Sequence, residues 1–325
     1  MSSVKSLSLA DDLLHAGKCL YASHHTAECI SLLNHLLAVD PLNRDAHIQL
    51  AYAYCRLDDY IKGRDELVWV WMPVFGNQTG LLQPAKDLNG LRILISSDAG
   101  LGDCIMFCRF LKLLKNRKCH VTLQVPDPLV RLMLQSNLAD TVISPHVQLP
   151  QHDIRVPMHN LMAALVTDPQ DPHVSRSNYL CANQSEIDHF SYLIPKNGSR
   201  KVGLCWSGNP SLPDDNLRSV SLEFIQSLTQ DNDELFSLIP GSSMDDGRRM
   251  HWFQFKDIAE TAALIKNLDF VITVDTMIGH LCGALGIPTL LLNRFNGCWR
   301  WSEEGQTNAW YDSVEIKRQT MNLNW

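Results

Sequence analysis

Several features of specialised protein classes are missing from this 325-residue sequence. It has no run of 18 or more uncharged apolar residues, the length that a membrane-spanning helix needs, so no transmembrane segment is expected. The N-terminal residues lack the apolar core and cleavage site of a secretory signal peptide. With 17 Gly and 15 Pro, the chain has too few of either residue for a fibrous or low-complexity protein. These absences leave a globular protein, long enough for two or three compact units.

Basic charge and metal-binding patterns are also scarce. Lys and Arg number 28 against 35 Asp and Glu, giving a net charge of −7, whereas nucleic-acid binding needs a basic surface. The 10 cysteines form no Cys-x-x-Cys motif, and no two histidines have the i, i+4 spacing of a helical metal site. Asp231-Asn232-Asp233 is interpreted as a solvated loop. We therefore expect neither a nucleic-acid partner nor a bound metal. We expect the cysteines to be reduced thiols in a cytoplasmic protein.

The first 75 residues are predicted to be all helical. Apolar residues recur there at the helical period, in four groups, the last from about Asp59 to Val70. Pro41 cannot continue the second helix, and Asn43 can cap the third. Gly17 and Ala51 are 51 − 17 = 34 residues apart, at places where small residues let paired helices approach. The segment therefore resembles one full tetratricopeptide repeat and most of a second, with a generic pair of helical hairpins as the alternative.

After a linker at 76–90, the pattern changes to alternating strands and helices. Strand, glycine loop, helix and strand follow one another from Arg92 to Val125, which is one βαβ unit of a parallel sheet. A second series of this kind starts at Lys201. The predicted fold class is α/β, with a reduced Rossmann-like domain at 91–198 and a second one at 199–325. Ligand would bind at the carboxyl ends of the strands.

Two loops that follow predicted strands carry candidate chemistry. In Gly100-Leu101-Gly102-Asp103, the glycines permit close approach of a ligand, and Asp103 could take a proton from a hydroxyl or simply cap the next helix. Asp275-Thr276 opens a helix of small residues, whose N-terminus would suit a diphosphate. His280 lies about one turn into that helix, where a lone histidine can equally be a hydrogen-bonded core residue.

Three segments carry a resemblance to a known family. They are Gly100 to Asp103; Val202 to Pro210 with Arg218 downstream; and Asp257 to Ile265 running into Val274-Asp275-Thr276 and His280 to Gly286. In residues, order and spacing these segments resemble glycosyltransferase family 9, the ADP-heptose:lipopolysaccharide heptosyltransferase group, of GT-B fold. Bacterial proteins that join tetratricopeptide repeats to such a domain are similar to the whole arrangement.

The resemblance implies a glycosyltransferase whose donor is a nucleoside-diphosphate sugar, plausibly ADP-linked, with no cofactor. Asp103 would be the general base on the acceptor hydroxyl, and Arg218 would neutralise the leaving diphosphate. The other implied donor-binding residues are Gly102, Ser207, Gly208, Asn209, Asp275, Thr276 and His280, with Asp245 as a weaker candidate for a ribose hydroxyl. In-line attack would invert the anomeric centre, and no metal is needed if Arg218 and helix N-termini carry the charge.

The half of the domain pair that normally binds the acceptor is shorter here than in the family. The acceptor, a saccharide or a protein, is therefore not specified by the sequence, and the repeats either bind a protein partner or dock internally. Two alternatives stay open. One is a non-catalytic tetratricopeptide-repeat interaction protein with a degenerate nucleotide-sugar-binding domain, and the other is a nucleotide-sugar epimerase of the same fold.

Overall fold

The computed structural model describes residues 9–75, 87–97, 99–115, 117–212, 215–239, 250–321 and 325, without the side chains of 71–75. The chain divides into two compact units. The helical unit contains Met1–Lys86, Asn160–Asp168 and Asn296–Glu304, and the α/β unit contains Asp87–His159, Pro169–Phe295 and Gly305–Trp325. Both predicted Rossmann-like domains thus contribute a short segment to the helical unit, a long-range connection that no local sequence pattern indicates.

The helical unit begins with four helices in the places that the apolar periodicity predicts. They are α1 (Leu9–Ala22), α2 (Thr26–Val39), α3 (Arg44–Arg56) and α4 (Tyr60–Phe75). The Asn43 side chain accepts a hydrogen bond from the backbone N–H of Ala46 at 3.1 Å, which confirms the predicted cap of α3. Buried apolar side chains such as Leu33 and Leu50 fill the space between the helices. Membership of the tetratricopeptide family stays a prediction.

Gly63 provides a test of close packing between α3 and α4. A β-carbon at this position would clash with the Sγ atom of Cys55 and lie 3.3 Å from the carbonyl oxygen of Ala51. We expect Gly63→Ala to lower the free energy of unfolding by about 1–2 kcal/mol, because overpacking outweighs the roughly 1 kcal/mol gain in helix propensity. Urea unfolding with hydrogen exchange of the α3 and α4 amides measures this. The same substitution in a Cys55→Ala background should cost less, and an equal cost would contradict the packing explanation.

The first sheet of the α/β unit has four parallel strands in the order β3-β2-β1-β4. The strands are β1 (Arg92–Ser96), β2 (His120–Gln124), β3 (Thr141–Ile143) and β4 (Ile154–Pro157). The helix predicted to follow the loop Gly100 to Asp103 instead begins inside it, at Leu101, as α5 (Leu101–Phe107). It continues as a 3-10 turn (Cys108–Leu111) and α6 (Lys112–Lys115). Asp103 therefore lies within the first helical turn, and Gly100 takes the N-cap position.

The chain continues through three further helices before the second sheet. They are α7 (Asp127–Ser136), α8 (Leu161–Leu165, in the helical unit) and α9 (Gln184–Leu193). The sequence did not predict α9, although its start is marked by Asn183, whose side chain accepts a hydrogen bond from the backbone N–H of Ser185. Nearly all of its side chains are exposed or half-buried, so its apolar pattern is weak.

The second sheet has six parallel strands in the order β10-β9-β8-β5-β6-β7. The strands are β5 (Lys201–Cys205), β6 (Glu234–Ser237), β7 (Met250–His251), β8 (Phe270–Val274), β9 (Thr289–Asn293) and β10 (Val314–Arg318). Numbered along the chain, this is the 3-2-1-4-5-6 order of the dinucleotide-binding fold. The accompanying helices are α10 (Asp215–Arg218), α11 (Leu222–Gln226), α12 (Ile258–Ile265) and α13 (Met277–Leu285). The edge strands β7 and β10 were not predicted.

Arg131 links the helices of the two sheets within the α/β unit. From α7 it donates two hydrogen bonds, at 2.7 and 2.6 Å, to the carboxylate of Asp257, and it also pairs with Glu186 of α9. The same Asp257 carboxylate caps α12 by accepting from the backbone N–H of Ala259 at 2.9 Å. One carboxylate thus both starts a helix of the second sheet and holds a helix of the first.

Arg109 connects distant parts of the α/β unit and is completely buried. Its guanidinium donates hydrogen bonds to the carbonyl oxygens of Met106 and Trp310 and, at 3.0 Å, to the hydroxyl of Tyr179. The rings of Tyr179, Trp310 and Tyr311 surround it, with centroids 4.8, 5.3 and 4.5 Å from the guanidinium carbon. Hydrogen bonds and ring faces together compensate the loss of hydration of this cation.

The interpretation of Asp231 to Asp233 as a solvated loop is wrong for Asp233. Its side chain is 0% exposed and forms an ion pair with Arg200 at 2.7 Å. The guanidinium holds the pKa of the Asp233 carboxyl below its usual range, and burial opposes this effect. Among the residues that the structure describes, no helix is long and apolar enough to cross a membrane.

Candidate functional site

The strand order of each sheet marks one place where its loops diverge. In the first sheet this switch point lies between β1 and β4, and in the second between β5 and β8. Ligands of open parallel sheets bind at the carboxyl ends of the strands beside such a point. Asp103 lies in the first helical turn after β1, Ser207 to Asn209 follow β5, and Asp275 and Thr276 follow β8. The predicted residues therefore lie at the two switch points.

The two switch points meet where the first turns of α5 and α13 touch. A β-carbon at Gly102 would lie 2.7 Å from Cδ2 of His280 and 3.6 Å from the α-carbon of Met277. Only glycine permits this approach of the two helices. The sequence assigned Gly102 to ligand contact, whereas the structure places it against His280, so a role for Gly102 in donor binding stays a prediction.

Asp103 faces a histidine that the sequence reasoning did not single out. Its Oδ2 atom lies 3.6 Å from Nε2 of His159, which follows β4 on the other side of the switch point. The Asp103 side chain is 20% exposed and the His159 side chain is 11% exposed. Asp103 occupies the first turn of α5, where the partial positive charge of the helix N-terminus favours a carboxylate. A partly exposed carboxylate beside an imidazole is suited to taking up a proton.

Arg218 lies at the centre of a polar network at the second switch point. It donates to Oδ1 of Asp215 at 2.8 Å and to the carbonyl oxygen of Asp275 at 2.8 Å. The other oxygen of Asp215 accepts from Ser219 at 2.9 Å, and the Ser219 hydroxyl in turn accepts from the backbone N–H of Gly208 at 3.2 Å. The network joins the loops after β5 and β8 and leaves the Arg218 side chain 20% exposed.

Gly208 packs tightly inside this network. A β-carbon there would collide with the Asp215 carboxylate and the Arg218 guanidinium, so a larger residue would force this ion pair to move. The sequence reasoning found Gly208, Arg218 and Asp275 but missed Asp215. An acidic residue three positions before an arginine in a short helix is a recognisable ion-pair spacing, and it was the available signal.

The remaining predicted residues have local structural contacts. The Thr276 hydroxyl accepts from the backbone N–H of Ile278 at 3.3 Å and so caps α13. Asn209 is exposed, and its side-chain oxygen accepts from the backbone N–H of Ser211 at 3.0 Å, which forms a turn. Ser207 is half-buried beside them. Asp245, the weak candidate for a ribose contact, lies outside the described residues.

His280 is buried, and its Nδ1 atom lies 2.9 Å from the hydroxyl of Tyr311. Burial raises the pKa of Tyr311 to about 12, with the nearby Arg109 cation opposing the rise, so the phenol keeps its proton at physiological pH. His280 thus has the hydrogen-bonded core position that the sequence left open as an alternative. Its contact with Gly102 nevertheless places its ring at the junction of the two switch points.

Solved structures share this arrangement of two parallel sheets. A glycosyl transferase family 9 protein from Veillonella parvula is 12% identical, with a TM-score of 0.52 over 73% of this chain and 88% of that one. The ADP-heptose LPS heptosyltransferase II of E. coli is 11% identical, with a TM-score of 0.50 over 72% of this chain and 92% of that one. The α/β unit has the GT-B fold of these transferases.

This likeness confirms the predicted α/β class and the GT-B pairing of sheets, and at such low identity it is a likeness of fold alone. No protein-family model matches the sequence, and a search of curated proteins finds no match. Within the described ranges, no group of three or more His, Cys, Asp or Glu side chains could hold a metal ion. In this GT-B unit, Asp103 and Arg218 lie at different switch points, with the contact of α5 and α13 between them.

Proposed function

We propose that this protein is an inverting, metal-independent glycosyltransferase that uses a nucleoside-diphosphate sugar. The observation that carries the proposal is the meeting of two switch points, one with a carboxylate beside an imidazole and the other with a partly exposed guanidinium. Transfer from a diphosphate needs this pair of groups, a base for the acceptor and a cation for the leaving group. The GT-B neighbours include an enzyme named for ADP-heptose, and we propose a donor of that class.

In the proposed reaction, Asp103 takes the proton of an acceptor hydroxyl. The acceptor oxygen attacks the anomeric carbon and forms the new glycosidic bond, while the bond between that carbon and the diphosphate oxygen breaks. The nucleoside diphosphate leaves with the electron pair, and Arg218 stabilises its negative charge. Attack opposite to the leaving group inverts the anomeric configuration.

The ion pair between Arg218 and Asp215 fits this role. Asp215 is buried and holds the guanidinium at the carboxyl ends of β5 and β8. The Arg218 side chain is therefore already in position before a ligand binds. A preorganised cation stabilises developing charge more strongly than one that must first reorient. The two loops that Arg218 joins are those that would contact the diphosphate.

Assays with a panel of nucleotide sugars test the proposed function. We expect slow donor hydrolysis without acceptor and, with a competent acceptor, a product of inverted anomeric configuration by NMR. An epimerase would convert the donor into an isomer without any acceptor. Failure of every nucleoside diphosphate to bind in calorimetry would contradict the proposal and would favour an interaction protein.

Arg218→Gln should weaken binding of the nucleoside diphosphate by about 10- to 100-fold, because a hydrogen bond to a charged group contributes about 1.5–3 kcal/mol. Titration calorimetry measures the dissociation constant. Arg200→Gln is the matched control. Arg200 also pairs with a buried aspartate, but it precedes β5 and so lies at the amino ends of the strands, away from the candidate site. Equal affinities of the Arg218 variant and the wild type would remove the proposed phosphate contact.

A further inference from the structure

His159 occupies a position that the proposed reaction has not yet used. It follows β4, the strand that pairs with β1 in parallel at the first switch point. The residue is buried, and its ring packs on that of Phe107 of α5, with centroids 4.9 Å apart at an angle of 49°. The ring is therefore held by packing, and its Nε2 atom lies 3.6 Å from Oδ2 of Asp103.

We propose that His159 is the positioning residue for the carboxylate of Asp103. Its Nε2–H group holds Oδ2, so that the other oxygen is directed to the acceptor hydroxyl and receives its proton. This inference rests on the proposed glycosyl transfer and adds a residue to it. The neutral imidazole is sufficient, because a proton on Nε2 makes it a donor without a positive charge.

The surroundings of Asp103 indicate which of its oxygens is held. A β-carbon at Gly100 would lie 3.5 Å from Oδ2, so this oxygen faces the N-cap of α5 as well as His159. A carboxylate can exchange its two oxygens by rotation about its last side-chain bond, and a fixed donor on one of them stops that rotation. The separation of 3.6 Å is longer than a hydrogen bond, and contacts of catalytic groups often shorten to hydrogen-bond distance when substrate binds.

A purely structural role predicts a different pattern of variants. If the ring of His159 only fills space against Phe107, an apolar side chain such as leucine should serve as well as glutamine. If the ring holds Asp103 through Nε2–H, glutamine should serve better, because its amide offers an N–H donor on a side chain of similar reach. The two roles are therefore separable.

The experiment compares the full-length wild type with His159→Leu, His159→Gln and Asp103→Asn, and with His159→Leu combined with Asp103→Asn. We expect His159→Leu to lower kcat of transfer by about 10- to 100-fold, since misplacing a reacting group by about 1 Å has an effect of this size. The KM of the donor and the affinity for the nucleoside diphosphate should change less than about twofold, because the second switch point is intact. His159→Gln should recover most of the lost kcat.

The combined variant measures the coupling of the two residues. Because His159 acts only through Asp103, His159→Leu should cause no further loss once Asp103 is asparagine. His152→Leu is the matched control, since His152 precedes β4 at the opposite end of the same strand, and its kcat should equal that of the wild type. Unfolding temperatures of all variants identify any loss of folding.

Equal kcat values of the glutamine and leucine variants, or independent losses in the combined variant, would overturn the inference while leaving the proposed function intact. Full activity of Asp103→Asn would instead remove the proposed base and the inference together. If His159→Leu does not fold, His159→Asn replaces it, because asparagine carries the same amide on a shorter side chain. Equal kcat of the asparagine and glutamine variants would then overturn the inference.

Discussion

Asp103→Asn should lower kcat of sugar transfer by about two to four orders of magnitude, which is the usual contribution of a general base. Asparagine has nearly the same shape but cannot take up the acceptor proton. The helix should tolerate the change, because Gly100 rather than Asp103 is the N-cap of α5. Affinity for the nucleoside diphosphate should stay within about twofold, since Arg218 and the loops after β5 and β8 are unaltered.

The measurement is steady-state transfer together with calorimetry of nucleotide binding and a thermal unfolding curve. Asp127→Asn is the matched control, because Asp127 is also a first-turn carboxylate of a helix that follows a strand of the same sheet. Its variant should transfer sugar at the wild-type rate. If Asp103→Asn transfers at the wild-type rate too, another group must act as the base.

Arg109→Met should lower the free energy of unfolding by about 3 kcal/mol or more. The substitution removes the donor to the buried carbonyl oxygens of Met106 and Trp310, and a buried group left unsatisfied costs about 1–3 kcal/mol. The Tyr179 hydroxyl loses the same donor but keeps its own hydrogen bond to the carbonyl oxygen of Ile105. Methionine fills most of the volume, so the loss reflects hydrogen bonds and ring contacts rather than a cavity. The side chains that surround Arg109 come from distant parts of the chain, so the loss should affect the whole α/β unit.

Urea unfolding monitored by tryptophan fluorescence measures this effect, since Trp310 lies beside the guanidinium. Arg92→Met is the control, because the ion pair of Arg92 with Asp153 lies at the surface, with side chains 39% and 34% exposed. Such surface pairs contribute little to stability. Equal midpoints of the two variants would show that the burial of Arg109 is not stabilising. Arg109→Lys should recover only part of the loss, because an ammonium group cannot reproduce the planar fork of donors.

The strands that end at the switch points could be predicted because they are buried on both faces. Arg92 to Ser96 and Phe270 to Val274 are short apolar runs followed by turn residues, and the structure has β1 and β8 at the same bounds. The strands β7 and β10 were missed, because β7 has only two residues and β10 carries three charged residues among its five. The start of α5 was placed too late, because the glycines of Gly100 to Gly102 suggested a loop.

The local sequence pattern indicated the candidate site best where its residues follow a strand closely. Gly208 and Asp275 lie in the loops after β5 and β8, Asp103 lies in the first turn of the helix after β1, and their residue types suggested chemistry. His159 and Asp215 were missed because each becomes significant only through a partner. His159 is 56 positions after Asp103 in the sequence, and the parallel pairing of β1 with β4 brings them together.

The sequence by itself determined most strands and helices of the α/β unit, though not α9, β7 or β10, and it identified the candidate carboxylate, guanidinium and glycines. Local apolar period and turn residues suffice for this, because they act over a few positions. Only the tertiary structure decided the strand order, the contact of Gly102 with His280 and the burial of Arg109. These depend on long-range packing, in which hydrogen-bond partners come from residues far apart in the chain and no local pattern specifies them.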